Sequence, residues 1–384
     1  MIANVSGSTF ERMRRLVSRC RKEVMAGVTI EDGSIAISGL REGVLAKVWI
    51  PCMPENENDI NGFWEHAILA EAFSAIRPKS HETVTLRGEP DKLVVLCSEG
   101  QFELAIGNIP EAQQWPELPG VEPFGSINSM EPEGMRLIQT ILNKSQSIRG
   151  FTYYAFVAEF EGKKFLVATD GVRMAAMPVD GLVNVGTQIH RVTVDEMCHD
   201  EARVCTFWRG WPKDDKRYWV ARYHRQQDKE TGGYSIYPEC PSELPIVTGP
   251  MQTAARATVK LTVPADRLLE LSRKAIAERK TDPTVTFYAK KGQPVRVAIN
   301  GASPNKGERI GEAPVDGDDF TKPRYLKFDA SYVRDYLVAV KSKSTVDIFA
   351  VPDWGKSSFP EHFASVWRAP NVTTAYLLMG MRYS

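Results

Sequence analysis

The sequence predicts an α+β protein built from three tandem domains of one design. Three observations carry this expectation. Amphipathic helical stretches alternate with groups of short strands. The strands are linked by tight turns such as Asp32-Gly33, Glu42-Gly43 and Glu99-Gly100, the mark of antiparallel pairing. The order of helix and then strands also recurs at about a third of the 384 residues, an interval of 128. That period is too long for a solenoid repeat and indicates domain duplication. Boundaries near Phe124 and Thr258 divide the chain into 1–124, 125–258 and 259–384.

In the first domain Ser8-Thr9 offers a cap for a helix over 10–24. Phe10, Met13, Leu16, Val17 and Cys20 share one side of its wheel, and Arg12, Arg15, Arg19 and Lys22 share the other. A stripe of this kind is either a solvated basic face or a helix laid along phosphates, and no acid interrupts it. Strands are expected at 27–30, 34–37 and 44–50, and a second helix over 63–76, ended by Pro78. Strands at 83–86, 93–97 and 101–106 follow, then a proline-rich exit over 110–123.

The second domain opens with a helix over 132–147, Met135, Ile138, Ile141 and Leu142 on one face and Arg136, Thr140, Asn143 and Ser147 opposite. Next comes a meander. Tyr154, Phe156, Ala158 and Phe160 alternate with Ala155, Val157 and Glu159, the period of a half-buried strand. Glu161-Gly162-Lys163 turns the chain into a strand at 165–169, and Asp170-Gly171 turns it again into 173–177, stopped by Pro178. In the third domain a helix over 266–279 has Leu268, Leu271, Ser272, Ala275 and Ile276 as its core face. Arg267, Arg273 and Lys274 lie opposite, diluted by Glu270. A last helix over 331–340 turns Tyr332, Val333, Tyr336 and Leu337 inward and Arg334 and Lys341 outward, before strands at 346–351, 365–367 and 374–379.

Lysine plus arginine equals aspartate plus glutamate at 48 each, which argues against a simple basic coat for DNA. A neutral total can still hold a positive surface facing a negative one. No signal peptide and no membrane-spanning apolar run is visible, and six cysteines lie without disulfide or zinc spacing. A cytoplasmic protein with free thiols is expected. Cys198-His199 with Cys205 fits no familiar zinc pattern, so neither metal nor cofactor is expected. Glu159, Glu161 and Asp170 form no recognisable catalytic set, Asp170 being explained by its turn. With no phosphate-binding Gly-Lys loop and no nucleophile elbow, the chain does not read as an enzyme. Trp208, Trp211, Tyr218, Trp219 and Tyr223 lie amid Arg209, Lys213, Lys216, Arg217 and Arg222. This segment is either a hairpin with one packed face or a surface for stacking single-stranded bases. Residues 226–233 read as an exposed polar loop.

Val167-Ala168-Thr169-Asp170-Gly171-Val172-Arg173-Met174-Ala175 resembles the central motif of the bacterial sliding clamp, the β subunit of DNA polymerase III. That family usually reads Val-Ala-Thr-Asp-Gly-His-Arg-Leu-Ala there. Ala375-Tyr376-Leu377-Leu378-Met379-Gly380-Met381-Arg382 is similar to its C-terminal Tyr-Val-Val-Met-Pro-Met-Arg. Both matches come in the family's order and at about its spacing. The resemblance covers nearly the whole chain and is weakest over 194–237.

The resemblance implies a homodimeric ring around double-stranded DNA, with helices lining the hole and antiparallel sheets outside. Such a ring tethers the DNA polymerase catalytic subunit and counts a clamp loader among its partners. It implies an inner wall carrying Arg12, Arg15, Arg19, Lys22, Arg136, Arg267, Lys274, Arg334 and Lys341. Tyr153 and Tyr154 match a DNA-touching tyrosine pair and read equally as strand aromatics. Phe102 and Leu104 match an apolar plug at the subunit junction, with Ile276 and Ala277 receiving it, Ala277 being smaller than usual. The partner-peptide pocket would use Ala155, Thr169, Gly171, Val172, Arg173, Met174 and Pro238. Leu377, Leu378, Met379, Gly380, Met381 and Arg382 would complete it. Val172 for histidine, Gly380 for proline and Ser242 for arginine imply an altered peptide preference. The alternative is a clamp-like decoy or adaptor that binds clamp partners without encircling DNA.

Overall fold

Antiparallel ladders organise the molecule, because short strands joined by tight turns fold back along their neighbours. The computed structural model describes residues 2–7, 10–11, 13–14, 26–31, 34–41, 44–51, 53–54, 60–64, 73, 75–88, 92–105, 122–144, 150–199, 201–210, 217–225, 232–290, 293–303, 307–312, 324–341, 344–350 and 364–379. It divides into two compact units, Met1–Asn128 with Asp195–Glu239, and Ser129–Val194 with Cys240–Ser384.

In chain order the first unit holds β1 (Ile2–Ser6), β2 (Ala26–Glu31), β3 (Ser34–Arg41), β4 (Val44–Pro51), β5 (Met53–Pro54), β6 (Ile60–Trp64), β7 (Thr83–Gly88), β8 (Lys92–Cys97), β9 (Gly100–Ala105) and β10 (Glu122–Ile127). The second unit takes up the chain with α1 (Pro132–Lys144), β11 (Tyr154–Phe160), β12 (Lys163–Thr169), β13 (Arg173–Pro178) and β14 (Gln188–His190). Helix α2 (Arg191–His199) then leads to β15 (Val204–Gly210), β16 (Tyr218–His224) and β17 (Gly232–Pro238) of the first unit. The remainder of the second unit is α3 (Thr248–Ala255), β18 (Val259–Pro264), α4 (Ala265–Glu278), β19 (Thr284–Ala289), β20 (Pro294–Ile299), β21 (Glu308–Glu312), β22 (Arg324–Asp329), α5 (Ala330–Val340), β23 (Thr345–Ala350), β24 (Ala364–Arg368) and β25 (Ala375–Met379).

The first unit contains a five-stranded sheet, β5-β1-β7-β8-β9, and an eight-stranded one, β10-β15-β16-β17-β4-β3-β2-β6. Helical residues Phe10 and Met13 are buried, and the Phe10 ring lies 5.0 Å from that of Phe73. The second unit carries one twelve-stranded sheet, β14-β11-β12-β13-β25-β24-β23-β18-β21-β20-β19-β22. Helix α5 packs against both α1 and α4, and α1 lies on β12 and β13. The apolar faces predicted for these helices are the buried ones: Ile138, Ile141 and Leu142 on α1, Leu268 and Ala275 on α4, Val333 and Tyr336 on α5.

The structure corrects several predicted elements. Phe63 and Trp64, expected to begin a helix, instead end β6, which pairs with β2; the aromatic pair suits a strand once a partner lies alongside. Glu122 and Pro123, expected at the end of a proline-rich exit, begin β10, which pairs with β15. Gly232 and Gly233, assigned to a polar loop, belong to β17 and are buried, and a side chain at Gly233 would collide with the ring of Tyr223. The hairpin reading of the aromatic-basic segment holds: β15 and β16 pair throughout, with Phe207, Trp219 and Tyr223 packed on one side. Helices α2 and α3 have no counterpart in the sequence reading. Val192, Thr193 and Val194 are weak helix formers, and Gly249 and Pro250 open α3.

Candidate functional site

The turn between β12 and β13 is built by its own side chains. Thr169 Oγ1 donates to the Arg173 carbonyl at 2.9 Å and accepts from Gly171 N at 3.1 Å. Asp170 Oδ1 accepts the backbone N–H of Val172 and of Arg173, each at 3.0 Å. Gly171 sits at φ +90°, a conformation other residues rarely adopt. The backbone reason for Asp170 is therefore present, and a second one accompanies it. Its Oδ2 accepts Arg173 Nε at 2.9 Å, while Arg173 Nη1 donates to Asp335 Oδ2 on α5 at 3.1 Å.

The Arg173 guanidinium also lies 4.4 Å over the Tyr332 ring. Its side chain is wholly enclosed, as are those of Asp170 and Asp335 to within 5% and 4%. Burial acts to lower the Arg173 pKa. The neighbouring Tyr376, Asp170 and Asp335 more than reverse this and hold it above the ordinary arginine value. Asp335 Oδ1 in turn accepts Arg334 Nη2 at 2.9 Å. A chain of charges thus runs from the turn into helix α5. Asp335 was invisible to sequence reasoning because it lies 162 residues from its partner.

Pairing of β13 with β25 sets Arg173 opposite Leu378, Met174 opposite Leu377 and Ala175 opposite Tyr376, and Met379 N donates to the Val172 carbonyl at 3.0 Å. Thr169, Gly171, Val172, Arg173, Met174, Leu377, Leu378 and Met379 therefore come together as expected from the sequence. Met174 and Leu377 belong to an apolar cluster with Phe156, Val167, Val247, Met251 and Val366, edged by Leu244, Phe349 and Met379. Val247, Met251 and Leu244 were not expected there; only the fold of α3 and the segment before it brings them in. Two apolar side chains stand out into solvent, Val172 at 42% exposure and Ile246 at 87%. Ala155 and Leu378 are fully buried, so their contribution is to the wall behind the surface. Pro238 is exposed at the end of β17 in the first unit. Gly380, Met381 and Arg382 lie outside the described residues.

Of the five predicted DNA-facing cations among the described residues, four carry carboxylate partners. Arg12, Arg15, Arg19 and Lys22 lie outside the described residues. Arg136 pairs with Glu133 at 2.5 Å and donates to the Ala339 carbonyl at 2.9 Å. Arg267 holds both Glu270 and Glu308, which raises its pKa, Lys274 stands 3.9 Å from Glu278, and Arg334 is bound to Asp335. Lys341 is exposed and ends α5 in the left-handed conformation. Tyr153 is half-buried with the Arg191 guanidinium 4.5 Å over its ring, and Tyr154 is buried edge-on against His190 at 5.0 Å. Of the junction residues, Phe102 and Ile276 are half-buried and Ala277 is exposed; Leu104 sits on β9, an edge strand of its sheet. Among the described residues no cluster of His, Cys, Asp and Glu is placed to hold a metal ion, and no helix is long and apolar enough to cross a membrane.

No protein-family profile matches the chain, and no curated protein sequence does. Solved structures do match. The DNA polymerase sliding clamp of Caulobacter crescentus superposes with a TM-score of 0.63 at 16% identity, all of both chains being covered. The DNA polymerase III subunit beta of Pseudomonas aeruginosa gives a TM-score of 0.63, also at 16% identity and full coverage of both chains. The Helicobacter pylori β clamp, solved bound to a DNA ligase peptide, gives 0.65 at 12% identity, again with 100% of each chain covered. The chain has the sliding-clamp fold from end to end.

Proposed function

We propose that this sliding-clamp fold works as a DNA sliding clamp, a ring-forming processivity factor without catalytic chemistry of its own. The observation that carries the reading is the junction of β13 with β25, which seats the Asp170–Met174 turn beside the chain's final strand and an apolar cluster. Exposed Val172 and half-buried Met379, bonded to each other through the backbone, offer anchors for short apolar peptides, and methionines there repack around varied ligands. A DNA ligase peptide bound to the Helicobacter pylori clamp supports a ligand of that kind. DNA polymerase and clamp-loader tails belong to the same class.

Three domains, bounded near 124 and 258, form each subunit on this reading. Ladder β4–β17 in the first unit and ladder β13–β25 in the second each join strands on opposite sides of one such boundary, which supports edge-to-edge assembly. The open edge of β9, with Phe102 and Leu104, meets Ile276 and Ala277 of a second copy to close a homodimer in the cytoplasm. Double-stranded DNA passes through without base-specific contact, held by cations that track phosphates.

A second reading, a decoy or adaptor that binds clamp partners without encircling DNA, is favoured by one observation. Four of the predicted DNA-facing cations, Arg136, Arg267, Lys274 and Arg334, already carry carboxylate partners. Loading onto nicked circular DNA with a clamp loader separates the two. A ring stays on circles at high salt and runs off once they are cut; a decoy is never retained. A fluorescent clamp-binding peptide is bound under both readings, and its failure to bind rules out both.

A further inference from the structure

The β15–β16 hairpin packs one face and carries aromatics and a cation on the other. Register places Cys205, Phe207, Trp219, Ala221, Tyr223, Ser235 and Tyr237 on one side, and all are buried. The alternate positions include Thr206, Trp208, Tyr218, Val220, Arg222, Tyr234 and Ile236, of which Arg222 is exposed, Val220 buried and the rest half-buried. One cross-strand row reads Thr206, Arg222, Tyr234 and, on β4, Lys47. The next row, roughly 7 Å along the strands, reads Trp208, Val220, Ile236 and Leu45. At the end of the hairpin Tyr218 lies opposite Gly210, where any side chain would collide with the tyrosine ring. The alternate positions of β4, β15, β16 and β17 hold aromatics and cations and no carboxylate residue.

We propose that this side of β15, β16 and β17 binds single-stranded nucleic acid. Flat aromatics on a sheet face stack bases without regard to sequence, and cations set among them follow the phosphates. Charge complementarity selects the ligand: Tyr234 lies in register beside Arg222, which is exposed, and no carboxylate residue shares their row. A peptide that adds a strand needs an open edge, and all three of these strands are interior to their sheet. A duplex keeps its base faces stacked inside and has nothing to offer Trp208 or Tyr234. Trp208, Arg222 and Tyr234 belong neither to the expected peptide-pocket residues nor to the expected pore cations, so the proposal stands or falls independently of the clamp reading.

The test is fluorescence anisotropy of labelled oligo-dT against the full chain at low salt, with a hairpin duplex and poly-glutamate as competitors. Binding of oligo-dT is expected, with an affinity loss of about tenfold for Tyr234→Ala, the size expected for one lost stacking partner. Arg222→Glu, at an exposed position, should lose at least as much with an unchanged melting temperature, and Trp208→Phe should bind like the parent while Trp208→Ser does not. No oligo-dT binding, or parental affinity retained by the folded Arg222→Glu and Tyr234→Ala proteins, overturns the proposal. Displacement by poly-glutamate as effective as by unlabelled oligo-dT also overturns it and assigns the face to acidic peptides. Retention on circular DNA should be unchanged in all of these variants.

Discussion

Arg173 and Arg267 both hold two carboxylates, yet they do opposite work. The Arg173 side chain has no exposure and bridges the β12–β13 turn to helix α5, 162 residues away. The Arg267 side chain is 45% exposed and grips Glu270, three residues on, and Glu308. A desolvated arginine between two enclosed aspartates leaves severe penalties if any member is removed. A solvated one is screened by water and salt and is readily exchanged for another partner. The first pair therefore fixes geometry, and the second tunes surface charge.

The largest effect should come from breaking the buried member. Arg173→Ala leaves Asp170 and Asp335 enclosed without a counter-charge and should cost about 3–5 kcal/mol in denaturant unfolding. Replacing all three charges together, Arg173→Met with Asp170→Asn and Asp335→Asn, should recover most of that loss. If the triple variant is as unstable as the single one, the cost lies in the turn and not in the charges. An intermediate case is Glu131, half-buried, whose carboxylate accepts the backbone N–H and hydroxyl groups of both Thr373 and Thr374 just before β25. Glu131→Ala should cost about 1–3 kcal/mol and speed hydrogen exchange at those two amides.

Beside Arg173 lie Tyr376 and, stacked on it at 4.9 Å, Tyr336. Burial raises the pKa of both above the ordinary tyrosine value. The folded state thus holds these protons more tightly than the unfolded chain. The stability they contribute is complete below about pH 10, the unfolded tyrosine pKa, and falls as pH rises beyond it. Unfolding midpoints at neutral and strongly alkaline pH should show that fall, and Tyr336→Phe should flatten it. At neutral pH the same substitution should be neutral or slightly stabilising, since the Tyr336 hydroxyl is buried without a hydrogen-bond partner.

The smallest effect on stability belongs to the exposed member. Arg267→Ala should leave the melting temperature unchanged. Its partners matter more for charge: Glu270→Gln with Glu308→Gln frees the guanidinium and should strengthen DNA binding at low salt. The salt dependence should steepen by about one counterion for the added phosphate contact. An unchanged salt slope would place Arg267 away from any bound DNA.

By itself the sequence determined the α+β class, the antiparallel meander over 154–178, the apolar faces of α1, α4 and α5, and the meeting of the Asp170 turn with the Leu377–Leu378 strand. Those features are written in local periodicity, in turn residues and in two motifs. Only the tertiary structure decided that 60–64 is a strand, that Val247 and Met251 join the apolar cluster, and that Arg173 answers Asp335. It also decided that Arg136, Arg267, Lys274 and Arg334 already carry carboxylate partners, and that the β15–β16 hairpin buries one face more fully than the other. The physical reason is range. Helix faces and turns follow from neighbours a few residues apart. A strand's partner, a buried charge's counter-ion and the side of a sheet that meets water depend on segments that come together only when the chain has folded.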